Sequence, residues 1–438
     1  MAPLPRYRLY DDPRTYATIG RELLTGRWKG GGACTELEKS LASLGAPHAV
    51  LAPRARVAIH LAVKALIRPG QKVVLSPYTI ADVVNMVVAA GGVPVFADIE
   101  RETCNVDPAE IEKLVDGDTG AALITHLHGL ACDMDVIPRI CAERNVALIE
   151  DAAQAFGARF AGRLVGTFGD VGIFSFGKYK NVNAFLGGVL LTRHAELAQR
   201  ARAALAEWPL QDAQHYLEEV LHGLATDLAT WPPLFRAFTF WVFRFAFLQE
   251  LSLLNKQVSF DNDPELHREL PEFYRRRMTP LQARLILRQL ARVDEYTRER
   301  IERARVYHQG LRDVSGVMVA PLRTDLSHMY TYFPIQVDDR NALLRHLMRS
   351  GRDVGGQHIK NCADFPAFRE WHRDCPNARK TANSVVLLPT YPRYSMRDVE
   401  ANVRVIREHF GAGTVHSDGQ AVGAHEPGAR GERDRQYR

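Results

Sequence analysis

The chain has 438 residues, 46% hydrophobic and 24% charged, which is enough for a sizeable core and an ordinary globular balance. Its net charge of +5 is mild and its arginines are scattered rather than interleaved with aromatics, so the composition speaks against nucleic-acid binding. Six cysteines without a CxxC pair, and no signal peptide, predict reduced thiols in a cytoplasmic protein.

Along the chain, short apolar and β-prone runs alternate with segments of helical composition. Strands are predicted at KVVLS (72–76), VPVFADI (93–99), AALITHL (121–127), VALIED (146–151), VGIFSF (171–176) and GVLLT (188–192). Helices are predicted between them, as at VAIHLAVKALI (57–67) and VIPRICAERN (136–145). That rhythm predicts an α/β fold with a mostly parallel sheet and helices on both faces. From about residue 300 a helix, the strand YTYFPIQV (330–337), the helix RNALLRHLMRSG (340–351) and the strand VVLLP (385–389) predict a smaller α+β unit. The expected organisation is a large unit over 1–270, a smaller one over 271–411 and a disordered tail over 412–438, which is rich in glycine and charge. No GxGxxG follows a strand, which argues against a dinucleotide fold.

One tract stands apart. WPPLFRAFTFWVFRFAFLQELSLL (231–254) is dense in aromatics, but Arg236 and Arg244 interrupt it and its uncharged runs are too short to cross a bilayer. Phe235, Phe238, Trp241, Phe245 and Leu248 recur at steps of three and four, which predicts one apolar helical face. Two readings stay open: an inserted helix in a subunit interface, or an amphipathic helix resting on a membrane or meeting an apolar substrate.

The chemistry concentrates between residues 149 and 192. Asp151 ends a predicted parallel strand, where open α/β sheets hold their ligands, and Lys180 follows 29 residues later. Pyridoxal phosphate chemistry requires one amine to bind the cofactor aldehyde and one carboxylate to keep the pyridine nitrogen protonated; Asp151 and Lys180 can fill those roles, and Ser175 offers a hydroxyl for the phosphate. Each residue alone also has a plain reading, Asp151 as the N-cap of a helix starting at Ala152 and Lys180 as a solvated loop lysine. His126, His128 and Cys132 approach metal-ligand spacing, but no second ligand pair supports a metal site.

EDAAQAFGA (150–158), GTFGDVGIFSF (166–176), Lys180-Asn181 and Gly187-Gly188 together resemble the DegT/DnrJ/EryC1/StrS family of pyridoxal phosphate-dependent sugar aminotransferases, of the aspartate aminotransferase fold type I. The resemblance extends to LLTGRWKGGGACTELEKSLASLG (23–45), GGVPVFADIE (91–100), ITHLHGLACDMDVI (124–137), RRRMTPLQARLILRQL (275–290) and VVLLPTYPRYS (385–395), and leaves roughly 195–270 unmatched. It implies that Lys180 binds the cofactor covalently, that Asp151 pairs with the pyridine nitrogen, that Gln154 bonds the phenolic oxygen and that Ser175 binds the phosphate. Lys178 competes for the lysine role. Lys180 is preferred because it lies five residues after Ser175 and precedes Asn181, and lysine rather than histidine there favours amino transfer over dehydration. His358, in VGGQHIKN, falls where the family places a substrate-side histidine, with a plain surface histidine as the alternative.

The chain departs from the family around the cofactor. Arg54-Ala55-Arg56 stands in place of Ser-Gly-Thr before the helix that receives the phosphate, Ile80 in place of a stacking aromatic, and Arg275-Arg276-Arg277-Met278 in place of Asn-Tyr-Arg-Met. Backbone amides at that helix start can still bind an anion, and Arg54 and Arg56 can add charged contacts. The resemblance implies a homodimer that moves an amino group, with glutamate as donor, to a keto group of a sugar nucleotide or related polyol. Two alternatives stand beside it: a pyridoxal enzyme for a non-sugar or lipid-associated ketone, and a binding or regulatory protein that keeps the fold without turnover.

Overall fold

In the computed structural model, residues 3–9, 13–250 and 263–413 are described. The predicted tail past residue 413, and residues 251–254 of the aromatic tract, lie outside them.

The six predicted strands join one further strand in a single sheet: β1 (His48–Ala52), β2 (Lys72–Leu75), β3 (Val93–Phe96), β4 (Thr119–Thr125), β5 (Ala147–Asp151), β6 (Val171–Ser175) and β7 (Gly188–Thr192). Their spatial order is β1-β7-β6-β5-β4-β2-β3. The pairs from β3 to β6 are parallel, while β7 runs antiparallel to both β6 and β1. The strands read as continuous apolar runs because both faces are covered. Val73, Leu75, Leu123, Ile149 and Ile173 share a core with helix Ala55–Leu66, whose Val57, Ala58, Ala62 and Val63 are fully buried. Their neighbours Val74, Ala122, Ile124 and Leu148 point the other way, into a core with helix Ile137–Glu143.

Sequence periodicity misses β1, an edge strand whose HAVLA lies between two segments of helical composition. A second, four-stranded sheet comprises β8 (Met318–Val319), β9 (Phe333–Gln336), β10 (Gly355–Gly356) and β11 (Val385–Leu388), in the order β8-β9-β11-β10, all antiparallel. Helices Val293–Leu311, Arg340–Arg349 and Met396–His409 pack on it through Tyr307, Leu343, Leu347 and Ile406.

The aromatic tract forms a continuous helical stretch from Pro232 to Leu248. Its predicted single face is split, with Phe235 and Leu248 turned to the packed side and Phe238, Trp241 and Phe245 left outside. Residues 235–239 make a π-turn, in which residues five apart rather than four come to lie over one another. Phe240 therefore joins Phe235 (ring centroids 5.9 Å apart) against Met348, with Leu248 at the edge of that cluster. Phe238, Trp241 and Phe245 are left exposed. No described helix is long and apolar enough to cross a membrane.

Candidate active site

The site is built at the carboxyl edge of β5 and β6. Asp151, the last residue of β5, pairs with Thr125 on one side and Ile173 on the other, which sets it two residues from the level of Ser175 at the end of β6. No helix follows Asp151: residues 152–158 form turns, and its Oδ1 accepts the Ala153 N–H at 3.0 Å. The N-cap reading thus fails, since a local Asx turn replaces the helix. Burial pushes the Asp151 carboxyl above its ordinary pKa, against the opposing pull of the Ala153 amide, Lys180 and His126.

Lys180 sits in the loop between β6 and β7, its N–H bonded to the Gly177 carbonyl at 3.1 Å. Distant residues hold this loop. Gln289 exchanges hydrogen bonds with the Asn183 backbone at 3.0 and 2.7 Å, and Gln282 donates to the Leu186 carbonyl at 3.0 Å. Both glutamines stand on helix Pro280–Leu290, whose start is fixed by a capping box between Thr279 and Gln282. Phe185 adopts a left-handed φ of 65° and buries its ring against Tyr216.

The two lysines of the loop are separated by their partners. Lys178 Nζ donates to Glu219 at 2.5 Å and lies 2.7 Å from His222 Nδ1. Lys180 instead lies within electrostatic reach of Asp151 and Arg56: burial lowers its pKa, Asp151 opposes that, and Arg56 lowers it further.

An anion cradle adjoins them. Helix Ala55–Leu66 begins after Arg54, which is extended and gives no side-chain cap, so the first amides of the helix are not capped by a side chain. Gly188, paired in register with Ser175, abuts this helix start. A Cβ on Gly188 would fall 2.5 Å from Ala55 N and 2.6 Å from the Arg54 carbonyl carbon, so glycine is what lets strand and helix meet. Ser175, the partner of Gly188, is thereby brought to the helix start at Ala55. Arg56 is held by an ion pair with Asp82 and donates to the Tyr274 hydroxyl at 2.7 Å, while Arg54 lies 3.0 Å from His215 Nε2. A buried carboxylate, a buried lysine and an uncapped helix start beside a serine are groups that would suit the ring nitrogen, the aldehyde and the phosphate of pyridoxal phosphate.

Behind Asp151, Glu150 accepts the Gly166 and Gly169 amides at 2.7 and 2.6 Å and faces His126 Nε2 at 3.2 Å. His126 Nδ1 accepts the Cys132 N–H at 3.0 Å, so this imidazole is engaged on both nitrogens. Among the described residues, no group of three or more His, Cys, Asp or Glu is arranged to hold a metal ion. Gln154 Oε1 accepts the His128 N–H at 3.1 Å. His128 is itself buried with neither ring nitrogen partnered, and burial, then His358, lowers its pKa to about 4.

His358 keeps solvent contact at the rim. Loss of water around its ring, then Lys180 and Lys360, bring its pKa to about 4. Ile80 is 37% exposed at the start of helix Ala81–Ala89.

The structure thus gathers Asp151, Ser175, Lys180, Ala55, Arg56 and His358. It also brings in Asp82, Tyr274 and Glu150, which sequence reading did not single out. Two arginines at a helix start without a nearby acid were the available signal for Asp82 and Tyr274.

The profile of the DegT/DnrJ/EryC1/StrS aminotransferase family matches residues 12–227 and 257–407. The spore coat polysaccharide biosynthesis protein SpsC of Bacillus subtilis is 28% identical over 416 residues, covering 90% of this chain and 96% of that protein. The UDP-4-amino-4-deoxy-L-arabinose–oxoglutarate aminotransferase of Shewanella sediminis is 28% identical over 426 residues, covering 93% and 98%. An aminotransferase of Psychrobacter cryohalolentis shares the fold, with a TM-score of 0.73 at 22% identity over 93% of this chain and 99% of that one.

Proposed function

Because the chain belongs to the DegT/DnrJ/EryC1/StrS family of pyridoxal phosphate-dependent aminotransferases, we propose that it works as a homodimer that moves the amino group of glutamate to a keto group of a sugar nucleotide. The observation that carries this reading is Lys180 beside Asp151, at the carboxyl edge of the sheet and next to an uncapped helix start. The two 28%-identical relatives support a sugar substrate, one by its role in polysaccharide biosynthesis and the other by its aminoarabinose nucleotide. Residues 1–270 are assigned to the cofactor-binding unit and 271–411 to the smaller one.

The cofactor supplies, when bound, an electron sink for the carbon that loses its proton. Lys180 Nζ is assigned as its covalent attachment point and as the base and acid that carries a proton across the substrate. That work needs a neutral amine, which burial and Arg56 favour. Asp151 holds a proton on the pyridine nitrogen, and Gln154 orients the ring through its phenolic oxygen. Ser175 and the amides of Ala55 and Arg56 bind the phosphate, with Arg54 and Arg56 adding positive charge. His358 faces the substrate. With its lowered pKa it is a neutral donor and acceptor suited to hydroxyl groups.

Incubation with glutamate and a panel of keto sugar nucleotides tests the reading. One acceptor should yield equimolar 2-oxoglutarate and amino sugar over many turnovers, whereas 2-oxoglutarate formed only to one equivalent per enzyme site, with no sugar of the panel aminated, would favour the non-sugar alternative. Arg56→Ala should weaken cofactor binding by about 1.5–3 kcal/mol, the range for a lost charged hydrogen bond. Titration of the apoprotein with cofactor measures this, and an unchanged affinity would assign Arg56 to holding Asp82 and Tyr274 alone.

A further inference from the structure

The family profile is interrupted between residues 227 and 257, and this interval holds eight of the sixteen exposed large hydrophobic residues among the described ones. Trp231, Leu234, Phe238, Trp241 and Phe245 follow one another at steps of three, four, three and four and are 54%, 39%, 64%, 49% and 62% exposed. Val242 and Phe243 widen the row, and the preceding helix Ala213–Ala229 exposes Leu217, Leu221 and Leu228. The opposite side of the stretch is fastened to the body by Phe235 and Phe240 on Met348. A surface of this extent on a folded protein marks a contact.

Charge decides what the contact is. From Leu228 to Gln249 there is no acidic residue, and the two charges are Arg236 and Arg244. Neither forms an ion pair with a described residue: Arg244 lies over the Trp241 ring, 5.4 Å from its centroid, and the Trp241 indole N–H donates to the Arg236 carbonyl at 2.9 Å. A two-fold contact of residues 231–245 with the same residues of a second copy would offer these arginines no carboxylate. Acidic lipid headgroups offer phosphates to the guanidiniums, and the layer beneath them accepts Trp and Phe rings. The helical stretch, about 25 Å long at 1.5 Å per residue, suits lying in that layer.

We propose that residues 231–245 form a membrane-surface contact that lays the enzyme on a lipid surface bearing acidic phosphate headgroups. This assignment does not depend on the reading of the active site. Co-sedimentation of the full holoenzyme with phosphatidylcholine vesicles, with and without phosphatidylglycerol, tests it. The protein should pellet with the acidic vesicles and be released by high salt. Phe238→Ser, Trp241→Ser and Phe245→Ser combined should reduce binding at least about tenfold.

Arg236→Gln with Arg244→Gln should reduce binding to acidic vesicles about fivefold per arginine, with little change on neutral ones. The arginine pair leaves the packed side untouched and keeps the test decisive if the serine variant fails to fold. Absence of binding to acidic vesicles, or binding undiminished in the arginine variant, would overturn the proposal. So would a serine variant that loses its partner subunit in solution yet still pellets with vesicles, since the face would then join two copies.

Discussion

Replacing Lys180 by alanine should lower the turnover number by roughly 10³-fold or more while the protein stays folded. General acid–base catalysis alone contributes about 10²–10⁴-fold, and this residue is assigned the covalent attachment as well. The fold should survive because the loop is held by other groups: Gln282 and Gln289 bond its backbone, and Phe185 anchors it in the core. Steady-state assay with glutamate and the best acceptor checks the rate, and circular dichroism checks the fold. Lys178→Ala is the internal comparison. Its amine is already committed to Glu219 and His222, so this change should cost little in rate. A Lys180→Ala enzyme that keeps more than a tenth of its activity would remove Lys180 from the chemistry.

Asp151→Asn should also reduce turnover by at least about a hundredfold, since an amide of the same shape cannot supply the charge that keeps a ring nitrogen protonated. Its effect on stability should be small or favourable. The carboxylate is buried with its pKa raised, so its charge costs the folded state something at neutral pH that a neutral amide does not. The two readouts should therefore move apart, with activity falling and the melting temperature holding or rising. A variant that loses both would make Asp151 a structural residue, and one that loses neither would orient the cofactor ring differently.

The proposed catalytic pair is legible in sequence because it is local: Lys180 follows Asp151 by 29 residues, and Asp151 and Ser175 end two strands whose apolar runs announce themselves. What escaped is what depends on distant chain. Arg56 meets Asp82, 26 residues away, and Tyr274, 218 residues away, so no window around Arg56 contains the groups that neutralise and orient it. The glutamines that hold the lysine loop are about 100 residues beyond it. After Asp151 the sequence ALA-rich start of 152–155 favours helix, but the Asp151–Ala153 turn prevails because the chain must return to pair Ala158 with Val165. The aromatic tract was legible as apolar and helical, but its exposed side was not. A π-turn shifts the phase, and no residue type in 235–239 declares one.

The central claim, that Lys180 rather than Lys178 carries the cofactor, is tested most directly by borohydride reduction of the holoenzyme followed by peptide mapping. The pyridoxyl group should be found on Lys180 alone. A label on Lys178, or no label on either lysine, would contradict it.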